Sequence, residues 1–62
     1  MKIEARLSYN ARNGIYDWRL YSKEGNQLIP MGNWNNGHST VAMTVVQIES
    51  YHKNRNITIT VN

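Results

Sequence analysis

The sequence predicts an α+β domain in which a three-stranded antiparallel meander is followed by one helix and a C-terminal strand. The order is β-β-β-α-β, with the helix on one face of the sheet. Three observations predict it. Lys2 to Tyr9 and Ile15 to Tyr21 alternate with a period of two, the mark of half-buried strands. Gly-containing polar turns separate the first three apolar stretches. Ser39 to His52 then runs on without Gly or Pro, a length ordinary for a helix and long for a strand.

In the first strand Ile3, Ala5, Leu7 and Tyr9 share one face, and Lys2, Glu4, Arg6 and Ser8 share the other. Asn10 to Gly14 ends in Asn-Gly, which favours a tight reversal and makes the first two strands antiparallel neighbours. In the second strand Tyr16, Trp18 and Leu20 form the expected core face, because aromatic and branched side chains suit a pleated, half-buried surface. Asp17, Arg19 and Tyr21 point the other way, where Arg6 is expected to pair with Asp17. Ser22 to Asn26 reads as a turn with Gly25 at positive φ.

Gln27 to Met31 reads as a short third strand, with Pro30 confined to an edge or a strand end by its missing N–H. Gly32 to His38 reads as a loop. Trp34, in its middle, is expected to fold back over the core, since burying an indole stabilises by a few kcal/mol. The helix is expected to be capped by Ser39 or Thr40, with Val41, Val45, Ile48 and His52 as its inner stripe and Ala42 beside it. Glu49 and Lys53 fall at the spacing of a helical ion pair. The β-branched content of the same stretch keeps an all-β small barrel open as the other reading. Ile57 to Val61 alternates again and is the last strand.

The 62 residues are read as a single domain spanning 1–62. A chain this short buries only about 60% of its unfolded surface, and without cysteine it has no disulfide or Cys-metal staple. Self-association as a homodimer is therefore expected. The net charge of +3 is modest, and no block of basic residues marks a nucleic-acid arm. No charged-then-apolar leader opens the chain and no apolar run approaches a membrane span, so a cytoplasmic protein without membrane attachment is expected.

Catalytic readings are weak. His38 and His52 have no partners at metal-ligand spacing. Glu4 and Asp17 fall on adjacent strands with nothing to bury them, and Ser39 and Ser50 lack a visible base. No cofactor, metal or enzymatic activity is expected. The better lead is the sheet face away from the helix, where Arg6, Arg19 and Tyr21 gather, with Trp34 as a further exposed aromatic if it does not fold back. Arg12, Lys23 and Arg55 at loop ends are candidates for rim or phosphate contacts. Such a face suits a protein partner, because Tyr and Arg are enriched at interfaces. It also suits stacked single-stranded bases, the alternative reading. Compact lone domains of this sort are common among phage-encoded and accessory bacterial proteins, where they act as inhibitors or adaptors.

Four stretches, Tyr16-Asp-Trp-Arg-Leu20, Lys23-Glu-Gly-Asn26, Gly32-Asn-Trp34 and Ile48-Glu-Ser-Tyr-His-Lys-Asn54, together resemble the YegP-like family of small bacterial and archaeal proteins of unknown function. The likeness covers residues 2 to 54 and implies a β-β-β-α unit that pairs with a second copy, in tandem or as a homodimer. It implies no active site. The sequence departs from the family pattern at Tyr51-His52, in a longer segment between Trp34 and the helix, and in a fuller last strand.

Overall fold

The computed structural model describes residues 2–53 and 57–62. The elements are β1 (Lys2–Asn10), β2 (Ile15–Glu24), β3 (Gln27–Asn36), α1 (Val41–His52) and β4 (Ile57–Val61). They form one sheet in the order β3-β2-β1-β4, the α+β arrangement expected from the alternation. β1 and β2 are antiparallel, as are β2 and β3, whereas β4 returns parallel to β1 on its free side. The helix between β3 and β4 is what permits this parallel return, which a tight turn cannot make.

One face of the sheet holds the core. Ile3, Ala5 and Leu7 from β1, Trp18 and Leu20 from β2, and Ile48 from α1 are buried together, with Tyr16, Val41, Ile57 and Ile59 packed against them. Trp18 is the largest fully buried side chain, and the ring of Tyr51 meets it edge to face with centroids 5.5 Å apart. Burying a side chain of this size contributes a few kcal/mol, a large share in so small a domain. Tyr9 lies on the same face opposite Tyr16, but at the sheet's end it stays 53% exposed.

The turns follow their residues. Asn10 accepts from the backbone N–H of Gly14 (2.8 Å), and its side-chain Oδ1 accepts from the N–H of Arg12 (3.0 Å). Gly14 completes the reversal at φ +68°. The second hairpin is tighter than the sequence suggests. Strands β2 and β3 pair as far as Glu24 and Gln27, leaving only Gly25-Asn26 as the turn, with Gly25 at φ +61°. Glycine at the first central position is the requirement of a type II′ turn, whose twist matches that of the strands.

The third strand departs most from expectation. The segment Gly32 to Asn36, read as loop, is strand. Trp18 pairs with Asn35 and Leu20 with Met31, so Arg19 alone faces Gly32, Asn33 and Trp34 in a bulge. Gly32 takes φ +86°, the conformation that bulged glycines supply. Trp34 does not fold back: it is 46% exposed on this edge strand. The strand continues because β2 is long enough to offer backbone partners beyond the bulge, and pairing outweighs the local polar composition.

Gly37 and His38 carry the pairing one step further. Gly37 N–H donates to Tyr16 O and Tyr16 N–H donates to His38 O, both at 2.8 Å. The helix then starts at Thr40, whose hydroxyl accepts from the N–H of Met43. Its inner stripe is rotated from the expected one. Thr44 and Ile48 are fully buried, Val41, Val45 and His52 are half-buried, and Ala42 is exposed. The rotation has a polar cause: Thr44 Oγ1 accepts from His38 N–H (3.0 Å) and lies 2.8 Å from Thr40 O. Lys53 ends the helix at φ 55°, its N–H donating to Glu49 O. The expected Glu49–Lys53 side-chain pair is not formed among the described residues, and the two residues meet through this backbone bond alone.

Candidate functional site: the open sheet face

On the side away from α1, the β1–β2 register lays out an ordered set of cross-strand pairs. Lys2 faces Lys23, Glu4 faces Tyr21, Arg6 faces Arg19 and Ser8 faces Asp17. Alternation places all of them opposite the core residues Ile3, Ala5, Leu7, Trp18 and Leu20. The neighbouring strands add Leu28 and Pro30, beside Lys23 and Tyr21, and Thr58 and Thr60, beside Glu4 and Arg6. Asn35 shares the helix side with its partner Trp18, so the alternation hands Trp34 to the open face.

Tyr21 is the centre. The guanidinium carbon of Arg6 lies 5.5 Å from its ring centroid and that of Arg19 lies 5.7 Å away. Each contact contributes about 0.5–1 kcal/mol at a solvated site. Arg6 Nε also donates to Glu4 Oε2 at 2.6 Å, while Arg19 Nε donates to the backbone oxygen of Gly32 at 3.0 Å. The bulge in β3 thus serves the site, because it turns the Gly32 carbonyl toward Arg19 and fixes that side chain.

The sequence-predicted face is therefore assembled as expected in Arg6, Arg19 and Tyr21, but one pairing differs. Arg6 does not meet Asp17. The register sets Asp17 one step further, opposite Ser8, where its Oδ2 accepts from Asn10 Nδ2 at 3.1 Å. Arg6 stands instead opposite Arg19, and its acidic partner is Glu4 on its own strand. Sequence reasoning placed Glu4 on this face but did not identify it as the partner of Arg6, although its place two residues away was the available signal. Lys23 belongs to the face proper, at the end of β2. Arg12 is exposed in the β1–β2 turn, away from the arginine pair. Arg55 lies outside the described residues.

Like charges directly opposite one another destabilise an antiparallel pair. This face carries that arrangement twice, as Lys2 with Lys23 and Arg6 with Arg19, with Glu4 between them. Lys2, Arg6, Arg19 and Lys23 against Glu4 and Asp17 leave it basic. Chemically, two planar guanidiniums beside an aromatic ring are suited to holding a carboxylate or phosphate through paired N–H donors.

Among the described residues no group of three or more His, Cys, Asp and Glu is gathered as a metal site. No described helix is long and apolar enough to cross a membrane. No family model, curated protein or solved structure matches the chain.

Proposed function

We propose that the protein is a small non-enzymatic binding module that docks an acidic segment of another protein on its open sheet face, acting as an inhibitor or adaptor. The observation that carries this reading is the opposed Arg6–Arg19 pair over Tyr21. A module selected for stability alone gains nothing from like charges facing across its two central strands. A partner carboxylate between them relieves the repulsion and forms charge-assisted hydrogen bonds. Leu28, Pro30 and Trp34 on the same face supply the apolar contact that a protein interface needs beside its charges. Self-association as a homodimer belongs to the same reading, because a core of this size gains stability from a second copy.

Single-stranded nucleic acid is the second reading, and Trp34 is the observation that favours it, as an exposed aromatic in the bulge opposite Arg19 on which a base can stack. Both arginines already occupy the Tyr21 ring, which leaves it less free to stack a base. The protein partner is accordingly preferred.

Selection from a random peptide library, run in parallel with the Arg6→Ser/Arg19→Ser variant, separates the readings. Enrichment of Asp- or Glu-rich peptides by the native protein, lost in the variant, is the expected result. Tight binding of (dT)12 that weakens steeply between 50 and 200 mM salt, with no peptide enriched, would transfer the proposal to nucleic acid.

A further inference from the structure

The two edges of the sheet are built differently. On β3, Pro30 removes a backbone donor and the bulge at Gly32 interrupts the ladder, both devices that stop an edge from pairing. On β4, Ile57-Thr-Ile-Thr-Val61 has neither proline nor charge, no residue of it is at positive φ, and among the described residues no strand pairs with its outer side. The side on which its free backbone groups lie follows from one hydrogen bond. Asn62 N–H donates to Leu7 O at 2.9 Å, so Asn62 points its amide at β1. Strand alternation then turns Thr58 and Thr60 toward β1 and aims the N–H and C=O groups of Ile57, Ile59 and Val61 outward.

We infer that β4 is the dimer seam: two copies pair antiparallel along β4 about a two-fold axis at Ile59, forming one continuous eight-stranded sheet. The sequence of the strand is self-complementary in this register. Ile59 faces Ile59 of the second copy, Ile57 faces Val61, and Thr58 faces Thr60, each residue type on its own side of the sheet. The outward backbone groups match as well. Ile57, Ile59 and Val61 are the residues with free N–H and C=O, and this register pairs only those with one another, giving about six hydrogen bonds across the seam. Val61, 47% exposed, gains cover from Ile57 of the second copy. The contact is isologous and therefore closes, while the protected β3 edges keep the sheet from growing further. Both open faces then lie side by side on one surface, so the dimer presents two arginine pairs in the same direction. The seam does not depend on what those faces bind.

Sedimentation equilibrium and amide hydrogen exchange test it together. The native protein is expected to be dimeric at high concentration, with the amides of Ile57, Ile59 and Val61 protected and losing that protection on dilution as the dimer dissociates. Thr58 and Thr60 amides, bonded within the subunit, keep theirs. Thr58→Lys/Thr60→Lys and Thr58→Glu/Thr60→Glu variants, checked for folding by circular dichroism, are each expected to dimerise at least about tenfold more weakly. Mixing the two should restore dimers, because Lys then faces Glu across the seam. A native monomer at millimolar concentration, outward amides that exchange freely in a dimer, or an open-ended polymer would each overturn the proposal.

Discussion

Gly37 lies so close to Tyr16 that a Cβ on it would stand 2.3 Å from the Tyr16 carbonyl oxygen, the same oxygen that accepts its N–H. The glycine is required for space, since its φ is not in the left-handed region. A methyl there would also stand 2.7 Å from Thr44 Cγ2, so neither the sheet side nor the helix side can give way. Gly37→Ala is expected to destabilise by about 3 kcal/mol, the upper range of overpacking, and to loosen the link between sheet and helix. A urea midpoint unchanged from the native protein would contradict this close approach.

Thr44 is the second part of that link. It is fully buried on α1, and its hydroxyl accepts from His38 N–H while donating to Thr40 O, the shorter of its two carbonyl approaches at 2.8 Å. Thr44→Val keeps the shape and removes both bonds. The His38 amide then loses its acceptor, and the expected cost is about 1–2 kcal/mol. Thr44→Ser, which keeps the hydroxyl, is expected to recover the hydrogen bonds and lose only the methyl packing. Thermal melts of the pair decide whether the hydroxyl or the methyl matters more.

These two residues show where sequence reading stopped. The alternation in β1, β2 and β4 was legible because each strand buries one face only, so Ile3, Leu7, Trp18 and Leu20 declare their side. The helix was legible from its length and its Thr40 cap. Its exact facing was not, because a buried threonine satisfied by a carbonyl from the preceding segment looks polar in a hydrophobic pattern. The extension of β3 was hidden for a similar reason: Gly32 to Asn36 has turn composition, and only the length of β2 draws it into the sheet. At the open face, the set Arg6, Arg19 and Tyr21 followed from strand phase alone. The opposition of Arg6 and Arg19 needed the register, which depends on where the Asn10–Gly14 turn begins and ends.

Lys53 closes the helix in the left-handed conformation, φ 55°, ψ 20°, which costs a side-chain-bearing residue and costs glycine nothing. Lys53→Gly is expected to stabilise the protein by about 0.5–1 kcal/mol while preserving the N–H bond to Glu49 O. Its exposed side chain makes no ion pair among the described residues, so little is lost with it. A lowered melting temperature would show that the lysine side chain has a role beyond the cap.

Arg19 is the residue at which stability and binding should part. Replacing it by threonine removes the like charge opposite Arg6, keeps a good strand former, and gives up one exposed hydrogen bond to Gly32 O and one contact with Tyr21. The gains and losses are each a few tenths of a kcal/mol to about 1 kcal/mol, so Arg19→Thr is expected to leave stability within about 0.5 kcal/mol of native. Added salt screens the Arg6–Arg19 repulsion, so the difference between variant and native protein should shift in favour of the native protein as ionic strength rises. Binding of an acidic peptide to the open face, measured by titration calorimetry, should fall at least about tenfold in the same variant, the loss of one charge-assisted contact. A variant that binds as the native protein does would remove the arginine pair from the site. One that unfolds would show that Arg19 is held for the bulge and not for a partner.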